Sequence, residues 1–225
     1  MEGEQRGVVV FLHGFMTAPS AYSVLLSPLE DAGFRLVAPS LYPRGPAALV
    51  GRHPVEREAE DAAHLVRELT SGVGTRRVVL AGHSRGGQAA WRAAGLLVAA
   101  DLVDALVLVD PVDGGGRAPQ EPTATRHAAR FTCRTLVIGA GLGGRCAPAP
   151  VNHDVFAAAT PHARHVLVPH LGHADVLDGR ARSFGRRLCG GADDPDAGRD
   201  SVSRLLVAFA GGHDVPDDTR VVVLR

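Results

Sequence analysis

The sequence predicts an α/β protein built on a mostly parallel sheet with helices on both faces. Short, continuously apolar runs of strand length alternate with segments of helix length, which is typical of parallel strands that are buried on both sides. The first run covers residues 8–12, and another, at residues 77–81, precedes a glycine-rich turn. No repeat or linker interrupts the alternation, so the 225 residues, 1–225, are expected to form a single domain.

The strands are predicted from apolar runs of four or five residues bounded by polar or glycine-containing segments. In chain order they cover residues 8–12, 35–38, 77–81, 105–109, 135–138, 165–168 and, as an edge strand or tail, 220–224. The intervening segments 43–52 and 139–150 are predicted to be loops. Segment 112–130 is predicted to be a loop with a short helix.

The helices are predicted from apolar residues at helical spacing and from residues that start or stop helices. Ser20 is the expected N-cap of the first helix and Gly33 its stop. In chain order the predicted helices cover residues 21–32, 54–69, 88–100, 151–159, 176–188 and 200–210.

The composition excludes several classes of partner. Because the 24 basic and 24 acidic residues cancel, nothing indicates binding to nucleic acid. No apolar run approaches the ~18 residues of a membrane span. The first seven residues also lack the long apolar region of a signal peptide. A soluble, cytoplasmic protein is therefore predicted, and its oligomeric state is not indicated.

The sequence predicts no metal and no cofactor. Cys133, Cys146 and Cys189 are far apart, and none stands in a C-x-x-C pair, so neither a disulfide framework nor a zinc site is indicated. One pair could bridge, but unpaired, inert thiols are the favoured interpretation. Segment 139–144 fits G-x-G-x-x-G, yet two prolines follow where a dinucleotide site needs a helix.

Ser84 stands at the centre of a strand, a sharp turn and a predicted helix. Gly82 and Gly86 flank it at two positions on either side, where a strained turn has no room for a side chain. This is the pattern of a nucleophile elbow, which lifts the serine oxygen clear of the sheet edge. Ser84 is therefore the predicted nucleophile, and its neighbour His83 is predicted to be a buried structural histidine.

A serine nucleophile needs a base within hydrogen-bond reach. In folds with this elbow, the acid follows the serine and the histidine comes last. His173, five residues beyond the predicted strand 165–168, is the predicted base. It is preferred to His170 because Gly172 helps to present it on a tight turn.

The acid that orients the base should lie at the end of a strand. No carboxylate follows the predicted strand 135–138, where this fold usually places it. Asp110, which ends the preceding strand, is therefore the predicted acid, with Asp113 second and Asp154 a distant third. The alternative is that Asp110 is not the acid and only starts the turn before Pro111.

Two backbone amides should stabilise the oxyanion that forms during acyl transfer. Arg85, which follows the nucleophile, is predicted to supply one of them. Phe15, in the loop after the first strand, is predicted to supply the other, with Met16 as the alternative. The side chains expected to line an apolar substrate pocket are Met16, Leu41, Tyr42 and Leu142, with Phe15 either there or in the core.

With these pieces in place, the chain resembles the chlorophyllases, a branch of the α/β-hydrolases. Arg85 after the serine, together with the GLGG and VNH pieces, is more specific than the elbow alone. The matches run from residue 8 to about 210 and include VFLHGF, APSLY, GHSRGG, VDPVDG, VIGAGLGG, CAP, VNHDVF and GHADVLD.

The resemblance implies Ser84 as nucleophile, Asp110 as acid and His173 as base, in agreement with the choice from strand order. It implies hydrolysis of the ester that joins phytol to the chlorophyll macrocycle, with any magnesium belonging to the substrate. The alternatives are a general esterase, lipase or cutinase-like polyesterase, or an idle hydrolase fold that only binds ligands. Chlorophyllases carry more sequence before the first motif, so an N-terminally shortened sheet is expected.

Overall fold

The computed structural model describes residues 6–41, 54–71, 77–114, 121–215 and 220–225. Within them, seven strands form one sheet: β1 (Gly7–Leu12), β2 (Phe34–Val37), β3 (Val78–His83), β4 (Ala105–Val109), β5 (Arg134–Leu142), β6 (Arg164–Gly172) and β7 (Val222–Val223). Their order in the sheet is β2-β1-β3-β4-β5-β6-β7. Strands β1 to β6 are parallel, and β7 is antiparallel to β6, so the predicted mostly parallel sheet is confirmed.

The helices are α1 (Ser23–Asp31), α2 (Val55–Thr70), α3 (Arg85–Leu97), α4 (His153–Ala159), α5 (Gly179–Cys189) and α6 (Pro195–Ala210). They cover both faces of the sheet, which is why strands such as β1 and β4 are apolar throughout. Along β1, Val8 and Val10 belong to a buried cluster with residues of α2, α3 and α4, whereas Val9 and Phe11 belong to a second cluster with residues of α1 and α6. None of the helices in the described ranges is both long and apolar enough to cross a membrane.

Strands β5 and β6 extend further at their carboxyl ends than the sequence predicts. The two strands stay paired at Ala140 and again at Leu142, which lies opposite Gly172. A Cβ atom on Gly141 would lie 2.5 Å from the carbonyl oxygen of Pro169, so this glycine permits the close approach of the two strands. Part of the predicted glycine-rich loop is therefore strand.

Three other local predictions have different outcomes. Ser20 is not the N-cap of α1, because a 3-10 turn at Pro19–Tyr22 comes first. The described part of segment 112–130 contains no helix. The predicted loop at 43–52 lies outside the described residues.

Cys146 and Cys189 form a disulfide, which corrects the expectation of unpaired thiols. Their Cα atoms are 5.2 Å apart, well within the range that a bridge requires. Cys146 follows β5 and Cys189 ends α5, so only the packing of these elements brings the pair together.

Burial raises the pKa of the remaining thiol, Cys133, to about 11. Disulfides persist mainly in oxidising compartments, and the cytoplasmic location stays a prediction.

Candidate active site

The turn between β3 and α3 holds Ser84 in a backbone conformation that side-chain-bearing residues rarely adopt. Its φ is 55° and its ψ is −124°. A Cβ atom on Gly82 would lie 2.3 Å from the carbonyl oxygen of Gly86, and one on Gly86 would lie 2.1 Å from that of Leu12. Both glycines are therefore required by backbone packing, and the turn presents Ser84 at the carboxyl edge of the sheet.

The structure brings Ser84, His173 and Asp110 into one hydrogen-bonded chain. The Oγ of Ser84 lies 3.0 Å from Nε2 of His173, and Nδ1 of His173 lies 2.6 Å from Oδ2 of Asp110. An ionised carboxylate can only accept a hydrogen bond, so Nδ1 carries the proton. Nε2 is then an acceptor for the serine hydroxyl, which is the arrangement a general base needs.

Asp110 is oriented by the backbone of the neighbouring strand. Its amide donates to the carbonyl oxygen of Ile138 at 2.7 Å, and its Oδ1 accepts the amide of Ala140 at 3.0 Å. The residue has a φ of 38° and is buried. Strand β5, which supplies no carboxylate here, instead supplies the amide that leaves Oδ2 of Asp110 facing His173.

Asp113, the second candidate for the acid, has a different role in the structure. It holds the segment around residues 123–125 against α3. Burial favours a raised pKa for Asp113, but the hydrogen bonds from Thr125 and Ala124 outweigh it and leave the pKa below its usual value. Its carboxylate accepts from the side chains of Gln88, Thr123 and Thr125 and from the amides of Gly114, Ala124 and Thr125.

The other candidates for the acid and the base also lie outside this hydrogen-bonded chain. Asp154 is on α4, beside His153 and His165. His170 is an exposed residue of β6, whereas His173 is buried.

Tyr22 and His83 form a buried network beneath His173, as the prediction of a structural His83 anticipates. Nε2 of His83 lies 3.0 Å from the carbonyl oxygen of His173, so it must donate. Burial, and next the charge of His173, lower the pKa of His83 well below its usual value. Nδ1 of this neutral ring therefore accepts from the Tyr22 hydroxyl at 2.8 Å, and that hydroxyl accepts from the amide of Gly14.

We expect Tyr22→Phe to destabilise the protein by ~2 kcal/mol, because it leaves the Gly14 amide and Nδ1 of His83 buried without their partner. Chemical denaturation measures this change. Thr17→Val is the comparison variant: it removes the part-buried bond from Thr17 Oγ1 to the carbonyl oxygen of Gly14 at 2.7 Å and the 3.2 Å bond between the Thr17 and Tyr22 hydroxyls. It keeps the partner of the Gly14 amide and of His83, so it should cost only ~1 kcal/mol. A Tyr22→Phe protein as stable as the parent would contradict this account of the network.

Asp175 is a site residue that the sequence reasoning missed. It is buried, and Oδ2 accepts the amides of Gly172 at 2.7 Å and Ala192 at 2.9 Å. Its Oδ1 is paired with the guanidinium of Arg186 on α5. These contacts hold the turn that presents His173. A carboxylate two residues after the histidine, in the GHAD piece, was the available signal.

Glu58 on α2 is a second missed residue. Its Oε1 accepts from Nε of Arg85 at 2.8 Å and from Nη2 at 2.6 Å, and the Arg85 guanidinium lies 5.9 Å from the centre of the Phe15 ring. Burial raises the pKa of Glu58, although Arg85 opposes this shift. The Arg85 side chain is therefore held by one buried carboxylate and lies beside the ring of Phe15, the other predicted oxyanion residue. An acid beside Ala59 on the apolar face of α2 was the signal in the sequence.

The loop after β1 lies against Ser84. A Cβ atom on Gly14 would be 3.4 Å from Cβ of Ser84, and the Gly14 amide is already bonded to Tyr22. The next amides along this loop belong to Phe15 and Met16, the two alternatives from the sequence. Arg85 is the first residue of α3, and the partial positive charge of a helix N-terminus favours an anion there.

The predicted pocket residues have different surroundings. Met16 and Leu142 are 49% and 43% exposed, so both offer apolar surface. Leu142 pairs with Gly172 beside the His173 turn, whereas Leu41 packs partly against the core. Tyr42 lies outside the described residues. Met16 also borders a cavity of about 320 Å³, which Thr17, Ala18, Ser20, Ala21, Asp178 and Ala181 line with it.

The mostly parallel sheet, the strained serine turn and the chain order serine, aspartate, histidine define an α/β-hydrolase fold. Solved structures are similar. The monoacylglycerol lipase of Paleococcus ferrophilus matches with a TM-score of 0.66 at 16% identity, over 93% of this chain and 96% of that one. Est1E of Butyrivibrio proteoclasticus matches with a TM-score of 0.62 at 15% identity, over 88% of each chain. These likenesses confirm the fold.

The chain belongs to the chlorophyllase family, whose model matches residues 2–220. Chlorophyllase-2 of Arabidopsis thaliana is 28% identical over 97% of this chain and 76% of that protein. Chlorophyllase-1 of the same plant is 30% identical over 90% of this chain and 70% of that protein. The predicted membership is thus confirmed, and the family supports an ester hydrolase.

Proposed function

We propose that the protein is a serine ester hydrolase in which Ser84 is the nucleophile, His173 the general base and Asp110 the orienting acid. The hydrogen-bonded chain from Ser84 Oγ through His173 to Asp110, at 3.0 and 2.6 Å, carries this proposal. Ester hydrolysis through a serine nucleophile needs this arrangement, because a serine hydroxyl is a weak nucleophile without a base that accepts its proton.

In the proposed reaction, Ser84 Oγ attacks the ester carbonyl carbon while Nε2 of His173 takes the hydroxyl proton. The backbone amides of Phe15 and Arg85 donate to the resulting oxyanion. The carbon–oxygen bond to the alcohol then breaks, and His173 gives its proton to the departing alcohol. His173 then takes a proton from water, which attacks the carbonyl carbon of the acyl-enzyme. The bond from that carbon to Ser84 Oγ breaks, His173 returns the proton to Oγ, and the acid is released. No step requires a metal or a cofactor.

We propose chlorophyll as the substrate, with chlorophyllide and phytol as the products. Family membership and the relatives named chlorophyllase support this choice. The exposed apolar side chains of Met16 and Leu142 suit a hydrophobic ester, and we assign Leu41 to the same pocket. Any magnesium in the reaction would belong to the macrocycle.

The substrate proposal is tested by comparing kcat/KM for chlorophyll with kcat/KM for short and long p-nitrophenyl esters. We expect release of chlorophyllide and phytol, with Ser84→Ala as the enzyme blank. Turnover of p-nitrophenyl esters without chlorophyll hydrolysis would instead indicate the general esterase, lipase or cutinase-like alternative. Absence of labelling by a fluorophosphonate probe, which reacts only with an activated serine, would indicate an idle fold.

We also propose that the chain is a single domain, because all the described strands join one sheet. With zero net charge it has no electrostatic reason to bind nucleic acid.

A further inference from the structure

His153, Asp154 and His165 form a second cluster of metal-binding side chains, away from the hydrogen-bonded chain at Ser84. His153 is the first residue of α4, and His165 lies on β6. Nδ1 of His153 and Nε2 of His165 face each other at 2.8 Å. Oδ1 of Asp154 lies 3.3 Å from the first of these nitrogens and 3.8 Å from the second.

The spacing of these three atoms is close to that of a tetrahedral metal site. An ion about 2.0–2.1 Å from two imidazole nitrogens holds those nitrogens roughly 3.3 Å apart. An ion would replace the proton of the hydrogen bond between His153 and His165, so the two ring nitrogens need to separate by about 0.5 Å. Oδ1 of Asp154 is already at a suitable 3.3 Å from His153 and needs to approach His165 by about 0.5 Å. Two imidazoles and one carboxylate, with a fourth position for water, are a ligand set that suits zinc.

The packing around the cluster restrains the ligands and leaves one side open. A Cβ atom on Gly139 would lie 2.5 Å from the ring of His153, so this glycine makes room for the imidazole. The side chain of Asn152 accepts the amide of Asp154 at 2.9 Å and fixes the start of α4. A cavity of about 480 Å³ reaches His153 and Asp154, and Ala140, Gly141, Leu167 and Leu224 also line it.

The charges near the cluster are compatible with a divalent cation. The positive charge of Arg225 acts on His165, but its guanidinium is bound to the carbonyl oxygens of Ala157 and Thr160 at the end of α4. The carboxylate of Asp154, 59% exposed, supplies the negative charge beside the two imidazoles. The cavity gives the ion a path from solvent and room for a water ligand.

We propose that Nδ1 of His153, Nε2 of His165 and Oδ1 of Asp154 bind one divalent transition-metal ion of the zinc type. The ion joins the start of α4 to β6 and is separate from the ester-hydrolysing groups. This departs from the sequence-based expectation of no metal, which considered only the cysteines. The spacing of 12 residues between the two histidines matches no local metal motif, so only the packing of α4 on β6 brings them together.

The test uses the whole chain, stripped with a chelator and then titrated with Zn²⁺ by calorimetry and with Co²⁺ by visible absorption. We expect one ion per chain and the intense absorption of tetrahedral cobalt. Asp154→Asn and His165→Gln should each weaken binding by more than ~100-fold, the upper end of what loss of an outer hydrogen-bond partner costs. The ion should also raise the unfolding temperature of the parent but not of Asp154→Asn.

His64→Gln is the matched control, because His64 forms an exposed pair with Glu68 at 3.3 Å that could bind ions adventitiously. This variant should bind as the parent does. No stoichiometric binding, or binding that is lost in His64→Gln and kept in Asp154→Asn, would overturn the proposal. If His165→Gln fails to fold, the exposed Asp154→Asn decides. Because Asp154 is outside the ester-hydrolysing groups, its variant should keep the parent's esterase rate in chelator.

Discussion

Ser84→Ala is expected to lower kcat for ester hydrolysis by about 10⁶-fold, the scale on which loss of a triad nucleophile acts. The substitution removes the oxygen that lies 3.0 Å from His173, and no other side chain in the proposed mechanism attacks the ester carbonyl carbon. Alanine at φ 55° is about as strained as serine, so the fold should persist. Purified protein assayed with p-nitrophenyl esters measures the change.

Ser23→Ala is the control for this prediction. Ser23 is an exposed serine at the start of α1, whose hydroxyl bonds the nearby carbonyl oxygen of Ser20. This variant should keep both parental turnover and parental labelling by a fluorophosphonate probe, whereas Ser84→Ala should lose both. A Ser84→Ala protein that turns over ester at the parental rate would refute the nucleophile assignment.

Asp110→Asn is expected to lower kcat by ~10⁴-fold while the protein stays folded. The neutral amide no longer stabilises the imidazolium, and its NH₂ group favours the tautomer of His173 in which Nδ1 is the acceptor. Nε2 would then carry a proton and could not accept one from Ser84. Steady-state kinetics, with the circular dichroism spectrum as a check of folding, measure this loss.

Asp113→Asn is expected to have the opposite effects. It should leave kcat within a few-fold of the parental value. It should destabilise the fold by roughly 3 kcal/mol, because six hydrogen-bond donors lose their carboxylate acceptor. The pKa of Asp113 is lowered in the fold, so its contribution is present above the unfolded value of 3.8 and is lost as the pH falls through the folded value. The stability gap between parent and variant should therefore narrow in acid. If only Asp113→Asn lost activity, the assignment of Asp110 would be wrong.

The order of strands and helices was predictable because it depends on local pattern. Apolar runs such as 8–12 and 105–109 became buried parallel strands, and residues 54–69 became α2 almost to the residue. The prediction of secondary structure was wrong where a contact with a distant strand overrides the local sequence pattern. Segment 139–142 has the glycines of a loop, but its pairing with β6 makes it strand, and Gly141 serves the close approach to Pro169.

The residues placed together at Ser84 were also named by sequence reasoning, since the elbow, a late histidine and a strand-end aspartate each carry a local signal. The residues that hold these groups in place were not named by sequence reasoning. Tyr22 and Glu58 act through residues that are distant in sequence, and no pattern around them specifies a partner. Asp175 bonds the nearby Gly172, but its other partners, Arg186 and Ala192, reach it only through packing. The same holds for the disulfide, whose cysteines are 43 positions apart.

The sequence by itself determined the α/β class, the elbow at Ser84 and a short set of candidates for its acid and base. These features depend on residue spacing within a few positions, where backbone geometry alone sets what is possible. Only the tertiary structure decided that Asp110 and not Asp113 faces His173, that Cys146 pairs with Cys189, and that His153 meets His165. Those choices depend on which strands and helices become neighbours, because a carboxylate, thiol or imidazole finds its partner only after the sheet has assembled.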